Sequence, residues 1–189
     1  MNIVIKNTVP APTYSFDSLP RNKNNGITFS VGESDIGFVL VARRNVGVCA
    51  ILIGSEVGEL ISDLSSRFRG STLVRSDETL RGDLEKVTCF IKTPKAGLDL
   101  PLDVCGTPFE RRVWEALRTV RVGAVITYAA LARRIGQPDA VRAVAKACAN
   151  NPLALAIPCH RVIRTNGALA GYRWGIERKR ALIRREAIA

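Results

Sequence analysis

His160 is the only histidine of the chain, and it directly follows a cysteine in the string Pro158-Cys159-His160-Arg161-Val162. The thiolate, not the thiol, is the nucleophile. A free cysteine titrates at about 8.5, so at neutral pH only roughly a few per cent is ionised unless neighbours help. An imidazole oriented by a carboxylate supplies that help by accepting the thiol proton. Glu186, in the closing stretch IERKRALIRREA, is the candidate carboxylate. Adjacent side chains diverge, so Cys159 and His160 can cooperate only across a turn or through a bridging water. The plainer reading of such a pair is an inert buried cysteine beside a structural histidine, because free cysteine is among the most buried residue types. A cysteine hydrolase is a third reading, but its nucleophile and base are normally distant in sequence and there is no second histidine.

Several elements are needed to hold this pair in place. The apolar run at residues 153–157 follows Asn150-Asn151-Pro152 and reads as a buried strand that ends at Pro158-Cys159. Residues 127–150, TYAALARRIGQPDAVRAVAKACAN, read as a helix-turn-helix. Thr127 caps a short helix whose inner face is Tyr128, Leu131, Ala132 and Ile135, and Gly136 ends it. Pro138 then opens a second helix, slim because it is rich in alanine and able to carry Arg142 and Lys146 into a DNA groove. The alternative is an ordinary helical hairpin packed in a core. Upstream, Thr107-Pro108-Phe109-Glu110 has the cap, the proline and the reciprocal acid of a capping box. The helix it starts reaches residue 119 or 120 and buries Phe109, Val113, Trp114 and Leu117.

The first half predicts a β-hairpin from residues 37–42 and 46–53, with Asn45 suited to positive φ in the break between them. Helices follow at residues 56–68, with an inner stripe of Val57, Leu60, Ile61, Leu64 and Phe68, and at residues 77–91. Residues 92–103, KTPKAGLDLPLD, hold two prolines and a glycine and carry the domain boundary.

Charge is distributed unevenly. The net charge is +11; residues 1–100 carry 12 basic against 11 acidic side chains, and residues 101–189 carry 16 against 6. A basic excess confined to one half points to a polyanion such as nucleic acid, or else to a solvated face. Hydrophobic residues are 47% of the chain, which excludes general disorder. No apolar run approaches the roughly 20 residues of a membrane helix, and the start lacks the pattern of a signal peptide, so a cytoplasmic protein with no membrane partner is expected. Five irregularly spaced cysteines and one histidine give neither a disulfide framework nor the ligand spacing of a metal site, so no metal or cofactor is expected.

The strings LPLD, GTPFERRVWEALRTV, TYAALA, AVRAVAKACANNP, IPCHRV and GYRWGIERKRALIRREA run nearly without interruption over residues 100–187. Together they resemble the O6-alkylguanine-DNA alkyltransferase (methylated-DNA–protein-cysteine methyltransferase) family, in particular the C-terminal half of its Ada-type members. The resemblance implies an α+β protein: a small α/β, ribonuclease-H-like domain over residues 27–98 behind an irregular leader at 1–26, then a mostly helical, winged-helix-like domain with the helix-turn-helix over 99–189. It implies a monomer in the bacterial cytoplasm, with the nucleoid, bound to the minor groove of double-stranded DNA that contains alkylated guanine. The activity implied is irreversible transfer of the alkyl group from O6-alkylguanine, with O4-methylthymine as a second candidate substrate, to the protein's own cysteine.

Residue by residue, the resemblance makes Cys159 the acceptor, completed by His160 and Glu186 through a water. Asn151 braces the active-site turns, Tyr128 crowds the target phosphate and protonates the purine, and Lys179 lies close by. Arg142 fills the stack in place of the extruded base, and Val141, Ala143, Lys146 and Ala149 complete the DNA face. The carbonyls of Cys159 and Val162 would accept from the guanine amino group, and Tyr172, Arg173 and Trp174 would line the alkyl pocket. The chain departs from the family at Val120-Arg121-Val122-Gly123, where an Ile-Pro pair usually precedes the glycine. The Ada-type cysteine cluster for phosphotriesters is absent from this sequence, so neither phosphotriester repair nor transcriptional activation is expected. A non-catalytic lesion binder is the alternative function.

Overall fold

A computed structural model describes residues 14–15 and 26–188. Strand β1 (Tyr14–Ser15) is followed by β2 (Gly26–Ser34), β3 (Gly37–Arg43) and β4 (Val48–Gly54). Thus residues 14–15 and Gly26, expected in an irregular leader, are extended and paired; the rest of that leader lies outside the described residues. The hairpin β3–β4 forms as expected from its nearly unbroken apolar strands. Its turn is closed by reciprocal backbone bonds between Arg44 and Gly47, at 3.0 and 3.1 Å. Asn45 is not at positive φ; a register shift between Ala42 and Arg43 takes up the extra residue instead. Gly47 is needed there because a Cβ would stand 2.6 Å from the Pro101 carbonyl oxygen.

Helix α1 (Val57–Arg67) buries Leu60 and Leu64 against the sheet, and β5 (Thr72–Arg75) returns parallel to β2. Helix α2 (Arg81–Lys92) starts four residues later than its apolar pattern suggests. Residues 77–80 are a turn, where the Asp77 carboxylate accepts from Ser30 Oγ and competes with helix formation. Strand β6 (Leu102–Asp103) completes a six-stranded sheet in the order β1-β6-β4-β3-β2-β5. The chain therefore contributes one strand to the first sheet after residue 99.

The second half is mainly helical, with α3 (Pro108–Arg118), β7 (Ile126–Thr127), α4 (Tyr128–Arg134), α5 (Val141–Asn150), β8 (Val162–Ile163) and α6 (Ile176–Ala187). Strands β7 and β8 pair in parallel. Both expected caps are present: Thr107 and Glu110 form the reciprocal box, and Thr127 accepts from the Ala130 amide. Gly136 ends the first helix of the pair at φ 73°. Pro138, expected to open the second, lies in a turn instead, and α5 begins at Val141 after Ala140 N–H bonds back to the Gln137 carbonyl.

Residues 153–157 are not the expected strand. They coil through a tight turn that places Leu155 at φ 68°, the only positive φ of a non-glycine residue among those described. This turn is stitched to the first half. The Ile51 amide donates to the Pro152 carbonyl at 2.9 Å, and the Ala154 amide donates to the Ile51 carbonyl at 3.0 Å. β6 pairs with β4 only at Val48, so the edge of β4 beyond it is open to the turn. One apolar cluster, from Ile27 to Leu182, joins the two halves. No helix among the described residues is long and apolar enough to cross a membrane.

Trp114 donates from Nε1 to the Ala147 carbonyl at 2.9 Å, and Glu110 accepts from Asn150 Nδ2 at 2.7 Å, so the capped end of α3 also holds the end of α5. Thr107→Ala removes one half of the box and is expected to cost about 1 kcal/mol. Urea unfolding checks this through a lower midpoint at unchanged slope.

Candidate active site

Cys159, His160 and Arg161 form a single 3-10 turn between the coiled segment and β8, and all three are buried. The tight turn resolves the divergence of neighbouring side chains, because the two residues serve different surroundings. Cys159 faces a cavity of about 560 Å³, while His160 points back into the protein towards α6.

Behind the cysteine, one carboxylate organises the charges. Glu186 Oε1 lies 2.8 Å from His160 Nε2, and both carboxylate oxygens accept from Arg161, Nε to Oε2 and Nη2 to Oε1, each at 2.8 Å. Arg161 Nη1 also donates to the Val120 carbonyl at 2.5 Å. Burial by itself would raise the Glu186 carboxyl, but the hydrogen bonds from His160 and Arg161 outweigh it and hold the group down at about 2. Burial pulls the His160 pKa below its ordinary value, and the nearby Glu186 opposes this only in part. The imidazole is therefore neutral beside an ionised carboxylate. An ionised carboxylate can only accept, so the ring proton sits on Nε2 and the lone pair on Nδ1. Nδ1 is buried and has no protein partner among the described residues.

Cys159 itself is pushed up to about 11 by burial, against a hydrogen bond from Asn151 and the charge of Lys179. Asn151 Nδ2 lies 3.2 Å from the sulfur and 2.9 Å from the Ile157 carbonyl, while its Oδ1 accepts from the Leu153 amide at 2.9 Å. This fully buried side chain thus closes the turn that positive φ at Leu155 opens. Lys179 Nζ donates to the Val162 carbonyl at 2.5 Å, and its own pKa is lowered by burial. The Cys159 carbonyl accepts from the Val162 amide, and the Val162 carbonyl accepts from Lys179.

The cavity is walled by Tyr128, Val141, Arg142, Ala149, Cys159, Tyr172 and Arg173 from the sequence reading, together with Ala145, Cys148, Arg164, Ala170 and Gly171. Ala143 and Lys146 are exposed on the same helix but outside the cavity. Trp174 stands behind the wall, with its ring edge-on to Tyr172 at 5.1 Å between centroids. Burial pushes the Tyr128 phenol up to about 12. Asn151, His160, Glu186, Lys179 and Val162 support the cavity from behind.

Two participants went unassigned in the sequence. Arg161 lies inside the most distinctive motif, and an arginine next to a buried histidine calls for the same counter-ion, which was the available signal. Cys148, also buried, faces the cavity one helical position from Ala149, and the alanine-rich pattern around it hides its inward direction.

His160 and Glu186 both hold fewer protons folded than unfolded, so acid destabilises the fold. Stability is expected to be constant at neutral pH and to fall below about 6.5 as unfolded histidine protonates. It should fall again as pH drops from 4.5 towards about 2. Glu186→Gln should leave the buried Arg161 charge uncompensated, at a cost of about 3–5 kcal/mol, and should flatten the lower acid limb. Urea unfolding from pH 8 to pH 4, with acid titration below that, measures both.

Residues 108–188 match the family described as 6-O-methylguanine DNA methyltransferase, DNA binding domain. The chain is 44% identical over 165 residues to the bifunctional transcriptional activator/DNA repair enzyme Ada of Escherichia coli, an alignment covering 87% of this chain and 47% of Ada. It thus spans about half the length of the Ada relatives it matches. It is 37% identical over 136 residues to the inducible methylated-DNA–protein-cysteine methyltransferase of Bacillus subtilis, covering 70% of this chain and 76% of that protein. Among solved structures, Mycobacterium tuberculosis OGT in complex with DNA superposes with a TM-score of 0.70 at 32% identity, covering 85% of this chain and 93% of that one. With the cysteine turn, its buried carboxylate and three quarters of a dedicated relative all accounted for, the chain belongs to the methylated-DNA–protein-cysteine methyltransferase family.

Proposed function

We propose that the protein repairs O6-alkylguanine in DNA by moving the alkyl group once, and irreversibly, onto Cys159. The observation that carries this reading is the floor of the cavity: a buried sulfur beside an exposed, slim helix, with a neutral imidazole and an ionised carboxylate behind it. The cysteine sulfur attacks the alkyl carbon in line with its bond to O6. The C–O bond breaks, its electron pair goes to the guanine, and a thioether forms. The thiol proton passes by way of a water to His160 Nδ1, whose positive charge Glu186 stabilises. The departing guanine is neutralised by a proton, for which the Tyr128 hydroxyl at the cavity wall is the assigned donor. No group in the cavity offers a route back from the thioether, so one protein molecule serves one lesion.

The target base lies inside a duplex and must be swung out, at a cost of a few kcal/mol. Arg142 is exposed at the start of α5 and borders the cavity, which suits a side chain that fills the vacated stack. Ala143, Lys146 and Ala149 lie along the same exposed face and leave it slim enough to enter the minor groove. The three-stranded antiparallel run with β5 added in parallel beside β2 supports a ribonuclease-H-like first domain, and the β7–β8 pair next to the two helices supports a winged-helix-like second one. The protein is assigned to the bacterial cytoplasm as a monomer on DNA.

Intact mass and peptide mapping after mixing with a duplex that carries one O6-methylguanine test the reading. One methyl group on the peptide containing Cys159, with one lesion lost per protein, is expected. A tight complex with no mass gain would make the protein a lesion sensor instead. Arg142→Ala should slow repair in the duplex by about tenfold while leaving transfer from free O6-alkylguanine little changed. Single-turnover rates on both substrates separate base extrusion from chemistry.

A further inference from the structure

We infer that Asp63, on α1 in the first half of the chain, is a positioning residue that fixes the pocket wall and the active-site turn together. The inference rests on the alkyl-transfer reading of that pocket. Arg173 belongs to the loop that carries Tyr172 into the cavity, yet its side chain turns away and donates from Nη2 to Asp63 Oδ1 at 2.6 Å. Arg67, one turn further along α1, donates from Nε to the same carboxylate at 3.1 and 3.2 Å. Its Nη1 reaches the Asn150 carbonyl at 3.3 Å. Asn150 closes α5 and precedes Asn151, whose amide touches the Cys159 sulfur. One carboxylate therefore joins the loop in front of the sulfur to the segment behind it.

Asp63 is the only acidic group paired with either guanidinium among the described residues, and its loss leaves two like charges facing each other. Burial and the nearby Arg173 both disfavour the charged form of Arg67, and Asp63 counters them. Without it, repulsion moves the element that is free to move, which is the loop rather than the helix. A second anchor leaves that loop little choice of direction. Arg178 donates to the Trp174 carbonyl at 2.9 Å and grips the Ile36 carbonyl at 2.6 Å and Ser55 Oγ at 2.8 Å. With its far end pinned, the loop swings at Tyr172 and Arg173. Both ion pairs of Asp63 are partly exposed, so their direct contribution to stability is small. Their contribution is to geometry.

The test compares wild type, Asp63→Asn, Asp63→Glu, Arg173→Gln and the Asp63→Asn/Arg173→Gln pair. Duplex affinity and the single-turnover transfer rate at saturating lesion duplex are measured separately, together with labelling of Cys159 by iodoacetamide in the absence of DNA. Asp63→Asn is expected to slow transfer by about five- to tenfold, since small misplacements of reacting groups are costly, with affinity and urea midpoint little changed. Labelling of Cys159 should speed up as the loop opens, and Asp63→Glu should restore most of the rate. The double variant should be no slower than Asp63→Asn alone, because both act through one contact. Unchanged transfer and labelling in Asp63→Asn, or fully additive losses in the double variant, would overturn the inference. Absence of transfer in wild type would defeat the alkyl-transfer reading instead, and the labelling comparison would then decide the bridge on its own.

Discussion

Everything at the site hangs on the buried carboxylate of Glu186. It sits in the last turn of α6 and accepts from residues 25 and 26 positions earlier, which binds the end of the chain to the cysteine turn. Arg161 extends the link to the Val120 carbonyl, two residues past the end of α3. A buried carboxylate is costly unless it is paired and hydrogen-bonded, and here two residues on one turn give it three hydrogen bonds. The gain is therefore less in stability than in uniqueness: α3, α6 and the cysteine turn reach this arrangement together or leave charges stranded. The same ionised carboxylate determines which histidine nitrogen carries the proton, and so which one is left to take another.

The first half contributes a rigid backstop. The middle of β4 presents an open edge beyond its short pairing with β6, and the residues before Cys159 use that edge for two backbone bonds. The coiled segment thus borrows the stiffness of a sheet without being a strand. Such a segment tolerates a left-handed Leu155 because it is held on both sides, by Ile51 and by Asn151. Leucine in that conformation is strained on its own; the surrounding bonds impose it, and Asn151 at 3.2 Å from the sulfur ties Cys159 to the same turn.

The sequence disclosed what depends on local rules. The Thr107 box, the Thr127 cap, the glycine stop at Gly136 and the hairpin strands β3 and β4 are decided within a few residues, and each is found where those rules place it. What it hid depends on partners far along the chain. Residues 153–157 are as apolar as a strand because they are buried, not because they are extended. β2 and β5 are mixed in character and become strands by pairing with a sheet already present. Pro138 is compatible with a helix start, but a turn through Gln137 and Ala140 moves that start to Val141. At the site, Cys159, His160 and Glu186 were legible as chemical types. The shared counter-ion that makes Arg161 indispensable appears only when α6 folds back.

Burial favours the thiol form of the resting Cys159 sulfur, against the Asn151 hydrogen bond and the charge of Lys179. With burial pushing its thiol up to about 11, Cys159 rests protonated at neutral pH. The neutral His160 beside it means that no thiolate–imidazolium pair is formed in advance. For an enzyme that turns over, this would be a handicap. Under the proposed single transfer it is protection, because thiolate character is what exposes a cysteine to stray electrophiles and oxidants. In the proposed reaction the thiol gives up its proton only when the lesion occupies the cavity, to an imidazole whose cation the ionised Glu186 would stabilise.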